Sequence, residues 1–420
     1  MTTGTEMLII GGNFADPSVI RVGEDYYMTH SSYKLTPGLI IWHSRDLLHW
    51  NRFSAALMTY VGDVWAPDFV HHEGKFYIYF PAGRSNWVVT AQNPAGPWSE
   101  PIDLGIKGID PGHTVGPDGK RYLHMSGGGF VELTDDGLAV AGEVSQVYEG
   151  WKYPQEWVVE AYSLEGPKVT YHEGYYYLTV AVGGTAGPPT SHMAVSSRSR
   201  TPWGPWEHSP YNPIIHTRSS AEPWWSKGHA SLIDTPAGEW WIVYHAYAGG
   251  YHTLGRQTLL ERVEWTADGW FRISDGLAMN SVDTPLLTSF HDDFESTALG
   301  FEWQCEGMNP AERFRYDSGQ LSVEGTAENE LHSPLFFMPM HERYEVEVEV
   351  RVKGNAEGRL LLYYNESAYL GIGLHAKGVS HFRSFKGYGT MNHDGGHAYL
   401  RIVNDAISYP SIIASMVDHG

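Results

Sequence analysis

Five polar side chains stand at equivalent places in the first two thirds of the chain: Asp16, Asp68, Asp110, Glu165 and His229. Each opens a short β-type run that reaches a Gly-containing turn and re-enters on an aromatic-rich strand, at Tyr26, Phe76, Tyr122, Tyr175 and Trp240. Carboxylates gathered in one place do not titrate alike, because like charges push each other's pKa upward. One can stay ionised and activate a water or attack carbon, while another stays protonated and donates to a leaving oxygen. That pair is the minimum equipment for cleaving a glycosidic bond, and a third carboxylate nearby can hold the proton on the acid. The competing account is that some of these acids cap strands or bond turn N–H groups, and it is strongest for Asp68.

Such residues work together only if the fold brings them together. Helical periodicity is scarce up to residue 270, and short alternating or aromatic runs broken by Gly, Pro, Asn and Asp indicate an all-β fold. The strand-opening aromatics are separated by 50, 46, 53 and 65 residues. Four-stranded propeller blades occupy ~40–50 residues, so the spacing predicts a five-bladed β-propeller. The innermost strand of each blade faces the central channel, which places the five polar residues on one ring around one axis. A gap of ~6.5–9.5 Å between acid and base across that channel would admit a water and give inversion. Trp50, Trp98, Trp206 and Trp270 recur near the ends of the outer strands and read as inter-blade packing.

Composition narrows the partners. Sixteen Trp and 26 Tyr in 420 residues suit stacking on sugar faces, although β-rich cores also use aromatics heavily. A formal net charge of −21 argues against nucleic acid, which needs concentrated Lys and Arg. No apolar run approaches the ~18 residues of a membrane-spanning helix, so no membrane partner is expected. The opening residues lack a basic and then apolar signal segment. A cytoplasmic protein, or a secreted or periplasmic form with its signal removed, fits equally. Cys305 is the single cysteine, which excludes an internal disulfide and a cysteine-based metal cluster.

Asn13-Phe-Ala-Asp-Pro-Ser-Val, Val64-Trp-Ala-Pro-Asp, Ile109-Asp-Pro, Glu165-Gly-Pro and Gly228-His, in this order and in register with the blades, resemble glycoside hydrolase family 43. The resemblance covers roughly residues 10–275. It implies Asp16 as general base, Asp110 as the residue that modulates and orients the acid, and Glu165 as general acid of an inverting enzyme. It also implies a substrate that yields β-D-xylose or α-L-arabinofuranose from plant polysaccharides and oligosaccharides. Trp65 and Asp68 fall in a segment that faces the substrate in such enzymes. Leu254-Gly255-Arg256 is similar to the segment that supplies an arginine to sugar hydroxyls. His229 matches an axial histidine that the family often places beside a water or a calcium ion, so a water-held structural calcium is allowed and no cofactor is required. One departure is Asp110-Pro-Gly-His-Thr-Val, where His113 stands ready to line the pocket in place of a family residue.

After Asp283-Thr-Pro the texture changes to strict alternation, as in Tyr344-Glu-Val-Glu-Val-Glu-Val-Arg. This predicts half-buried strands of a β-sandwich over 286–420, following a propeller over 1–285. The segment resembles the concanavalin-like sandwich appended to family xylosidases. Residues 406–420 do not continue that likeness, which predicts a sandwich short of strands with an exposed edge for a subunit partner to cover. Two other functions use the same features: a carbohydrate-binding propeller without turnover, and an arabinan or other glycan hydrolase of the same fold.

Overall fold

The computed structural model describes residues 6–250, 252–275, 289–316, 319–325, 334–384, 386–393, 395–405 and 413–417. Five antiparallel sheets of four or five strands make up the first part of the chain. Their inner strands are Ser18–Val22, Asp68–His72, Gly112–Val115, Glu165–His172 and Trp224–Asp234. These inner strands neighbour one another in a closed ring, which makes the structure a five-bladed β-propeller. The fifth blade is built from both ends of the domain. Met7–Ile10 pairs with Arg256–Trp265, so the N-terminal strand closes the ring non-covalently.

The aromatic second strands explain how the blades hold together. Lys75–Ala82, Tyr175–Val182 and Trp240–Ala248 are buried on both faces over most of their length, because each blade packs between two others. Tyr177, Ile242, Tyr244 and Phe271 share one inter-blade cluster with Trp270. Trp50, Trp98 and Trp206 each pack against another such cluster, as the repeat pattern predicts. Burial of one aromatic side chain of this size contributes ~2–3 kcal/mol.

The chain divides into two compact units. The first holds residues 1–292, 297–312 and 335–340, so the propeller unit also takes segments that lie beyond the sequence-based boundary. That boundary, at 285, falls outside the described residues. Within this unit Trp303–Glu306 pairs with Leu35–Thr36 and with Phe336–Phe337. Among the described residues, the second unit has a two-stranded ribbon, Phe314–Tyr316 with Leu321–Val323, and two larger antiparallel sheets. One contains Tyr344–Arg351, His397–Asn404 and Ile413–Val417, and the other runs from Glu357–Asn365 through Lys386–Asn392. Val348, Val350, Leu360, Ile372, Leu374 and Leu400 form the core shared by these sheets. The tail carries a strand after all: Ile413–Val417 pairs along His397–Asn404, extending that sheet beyond what residues 406–420 suggest by sequence.

Candidate active site

The inner strands do not begin alike, and the difference decides which side chains meet. Asp16, Asp110 and His229 have φ of 59°, 55° and 51°, the left-handed region that side chains other than Gly, Asn and Asp rarely adopt. Such residues cost ~1–3 kcal/mol each and persist where the surroundings over-determine them. At the fourth blade the positive φ moves one residue along, to Gly166 at 57°, and a register shift separates Glu165 from Lys168. Asp68, by contrast, enters its strand without a positive φ.

The result is a cluster around one imidazole. His229 Nδ1 lies 3.3 Å from Asp16 Oδ1, and its Nε2 lies 3.9 Å from Asp110 Oδ2 and 3.7 Å from Glu165 Oε2. Three blades thus deliver carboxylates to a histidine from a fourth. Asp16 and Asp110 are almost wholly buried, whereas the Glu165 side chain is 27% exposed.

Each carboxylate has a different set of partners. Arg256 donates to Asp16 Oδ1 at 2.9 Å and Ser31 Oγ donates to Oδ2 at 2.5 Å. Burial alone would raise Asp16, but the Arg256 guanidinium and His229 outweigh it and hold this carboxyl well below the usual range. His245 Nδ1 is also 3.1 Å from Asp16 Oδ1, yet it accepts the Asp16 backbone N–H at 3.0 Å. With burial pushing His245 down to about 3, its neutral ring carries the proton on Nε2 and is not a donor to that oxygen. Asp110 accepts from Ser126 Oγ at 2.7 Å and from the Gly166 backbone N–H at 3.0 Å. There burial wins, and the Asp110 carboxyl is raised. Burial opposes the charge on His229, but Asp16, then Glu165 and Asp110, raise its pKa. A buried carboxyl held below its usual range and a buried carboxyl raised above it therefore face the same imidazole.

The other candidate residues divide into two groups. Arg256 is inside the cluster, but its partners are Asp16 and the Tyr33 hydroxyl, to which it donates at 2.6 Å. Trp65 is 46% exposed and follows Val64, which exchanges backbone hydrogen bonds with Tyr33. Asp68 and His113 do not join the cluster, and both are turned to protein partners. Both oxygens of Asp68 are taken by Ser18, Lys168 and the His113 backbone N–H. His113 is turned between blades, where its Nε2 accepts from Arg121 at 3.0 Å and its ring stacks on Tyr79. A long, buried Arg121 on the neighbouring strand claims that imidazole before a ligand can.

Sequence reasoning missed Ser31, Tyr33, Ser126, His30, His192 and His245. His245 sits in the otherwise apolar strand Trp240–Ala248, which was the available signal. His192 closes the Gly- and Pro-rich loop 183–192, which is held by Glu160: its backbone N–H bonds Ser191 Oγ at 2.7 Å, and its carboxylate accepts from Ala186 N at 2.7 Å. The loop so delivers His192 against His229 and His245, with ring centroids 5.4 and 5.3 Å away.

The side chains around His229 do not by themselves make a calcium cage. Calcium takes six to eight oxygen ligands, and both nitrogens of His229 face carboxylates, at 3.3 and 3.7 Å. Among the described residues, one group has ligand atoms within 4.8 Å of one another: Glu165, His192 and His229. Two imidazoles and one carboxylate are not an oxygen cage.

Comparison with known proteins bears on the family of the chain. A family model described as glycosyl hydrolases family 43 matches residues 7–271, the propeller from its closing strand onward. The chain belongs to this family. A non-reducing end alpha-L-arabinofuranosidase of Bacteroides ovatus is 34% identical over 356 residues, covering 76% of the chain and 65% of that protein. A xylan 1,3-beta-xylosidase of a Vibrio species is 33% identical, covering 66% of the chain and 58% of that protein. The chain therefore spans about three fifths of the length of the curated relatives it matches. The crystal structure of a family 43 protein of Bacillus licheniformis superimposes with a TM-score of 0.82 at 30% identity, covering 95% of this chain and 86% of that one.

Proposed function

We propose that the protein is an inverting exo-acting glycosidase that releases β-D-xylose or α-L-arabinofuranose from plant-type oligosaccharides or polysaccharide side chains. In this reading Asp16 is the general base, Glu165 the general acid, and Asp110 the residue that modulates and orients the acid. The observation that carries it is the convergence of the three carboxylates on His229 with unequal partners and unequal exposure. The names of the similar proteins, an arabinofuranosidase and a xylosidase, support the two sugars.

Asp16 is suited to stay ionised and to take a proton from water, because Arg256 and Ser31 fix both of its oxygens. Glu165 is suited to meet a leaving oxygen because it is the most exposed of the three carboxylates. Asp110 holds the Gly166 N–H next to Glu165 and so fixes the peptide that carries the acid. Asp16 and Glu165 lie on opposite nitrogens of one ring at 3.3 and 3.7 Å, which caps the distance between these two oxygens at ~9 Å, no wider than the upper end of the ~6.5–9.5 Å associated with inversion.

The test is hydrolysis of 4-nitrophenyl β-D-xylopyranoside and α-L-arabinofuranoside by the wild type and by Asp16→Asn. The reading expects turnover of at least one by the wild type and its loss in the variant. Sugar binding without turnover would instead indicate a binding propeller.

A further inference from the structure

Asp68 has no place in the reaction just described, yet each of its cross-blade partners lies just downstream of one of the three carboxylates. Ser18, two residues after Asp16, donates Oγ to Asp68 Oδ1 at 3.3 Å and accepts the Phe69 N–H at 2.9 Å. His113, three residues after Asp110, donates its backbone N–H to Asp68 Oδ2 at 2.7 Å. Lys168, three residues after Glu165, donates Nζ to Asp68 Oδ1 at 2.9 Å and to the Pro67 carbonyl at 2.7 Å. Asp68 is 7% exposed, and the Lys168 side chain 12%.

We propose that Asp68, paired with Lys168, is a positioning hub that sets where Glu165 stands relative to Asp16 and Asp110. The inference rests on the catalytic roles proposed above. Hydrogen-bonded ladders fix register within a blade, but the inner strands of different blades belong to different sheets. Their relative height along the axis is left to side chains, and one carboxylate here links the second blade to the first, third and fourth. The need is greatest at the fourth blade, where the register shift between Glu165 and Lys168 gives the strand a place to slide. Gly166 N–H to Asp110 pins the near side of that irregularity, and Lys168 to Asp68 pins the far side. Asp68 and Lys168 form a neutral pair, so the hub adds little net charge beside the acid. Displacement of a reacting group by ~1 Å can cost ~100-fold in rate.

The test compares wild type, Asp68→Asn and Lys168→Met on two glycosides of the same sugar, one with a 4-nitrophenyl and one with an alkyl leaving group. Asp68→Asn keeps the shape, but its amide NH2 must face either the His113 N–H or the Lys168 ammonium, so one link is lost. The expected result is a fall in kcat of ~100-fold on the alkyl glycoside with KM little changed, and a much smaller fall on the activated one. That split follows because only the poor leaving group needs the Glu165 proton in place. Equal losses on both substrates, or near-normal turnover, would overturn the proposal. Crystal structures of wild type and Lys168→Met give a readout without activity. A longer Gly166 N to Asp110 Oδ2 distance and a shifted Glu165 are expected, and unchanged placement overturns the hub. A wild type inactive on every glycoside would sink the functional reading, while the structural comparison would still decide the hub.

Discussion

Removal of the Arg256 charge, as in Arg256→Met, isolates what holds Asp16 ionised. The guanidinium lies 2.9 Å from Asp16 Oδ1, and the two side chains are 15% and 5% exposed. Breaking one partner of a buried pair costs ~3–5 kcal/mol, because the remaining charge is left uncompensated. His229 and Ser31 still face Asp16, which places the expected loss near the lower figure, ~3 kcal/mol. The loss depends on pH in a definite direction. The Asp16 pKa is depressed in the folded protein, so its contribution to stability is present above the unfolded carboxylate value and disappears as pH falls through the folded one. In the variant the burial penalty is no longer offset, and Asp16 escapes it by taking a proton. The gap between wild type and variant is therefore full at pH 7 and shrinks toward pH 4. Urea unfolding followed by tryptophan fluorescence at both pH values measures it. A loss below ~1 kcal/mol at pH 7, the range of an exposed pair, would refute the reasoning, as would a gap that does not narrow in acid.

Four further outcomes are expected. Glu165→Gln keeps the fold and loses most turnover on alkyl glycosides, checked by circular dichroism and steady-state kinetics. Asp110→Asn lowers kcat and moves the alkaline limb of the pH–rate profile, because the charge beside the acid changes; an unmoved limb contradicts its modulating role. Gly166→Ala reduces both stability and activity, since φ is 57° and a Cβ there would meet His229 Nδ1 at 2.8 Å; thermal unfolding should show a loss of at least ~1 kcal/mol. His229→Gln costs stability at low pH more than at high pH. The folded His229 pKa is raised, so its contribution is complete below the unfolded value and is lost as pH rises through the folded one. Denaturant midpoints across that range check the sign.

Much of this architecture is legible in the sequence because a propeller repeats. The Gly-containing turns after Asp16, Asp68, Asp110, Glu165 and His229 mark five blades, and five sheets begin at or near those positions. What repetition does not convey is the exception within the ring. Asp68 has the same sequence position as Asp16 and Asp110, and only the backbone dihedral at the strand entry separates a residue aimed at the cluster from one turned to its neighbours' backbones. His113 misleads for a related reason. It occupies a pocket-facing place in the motif, but Arg121, a residue without local warning, captures its ring. Ser31, Ser126 and His245 reach the site from strands and turns whose chemistry is carried by a single polar side chain, and one such residue gives no pattern to read. The closing strand Met7–Ile10 pairs across more than 240 residues of sequence, a contact that local periodicity cannot announce.

The most direct test of the account is the stereochemistry of the first product. The wild type is given 4-nitrophenyl β-D-xylopyranoside or α-L-arabinofuranoside in an NMR tube, and the anomeric proton of the released sugar is followed before mutarotation. The account expects the opposite anomer to appear first, with no signal from Asp16→Asn. Retention of configuration would contradict it, because a nucleophilic carboxylate would then replace the water that Asp16 is held to activate.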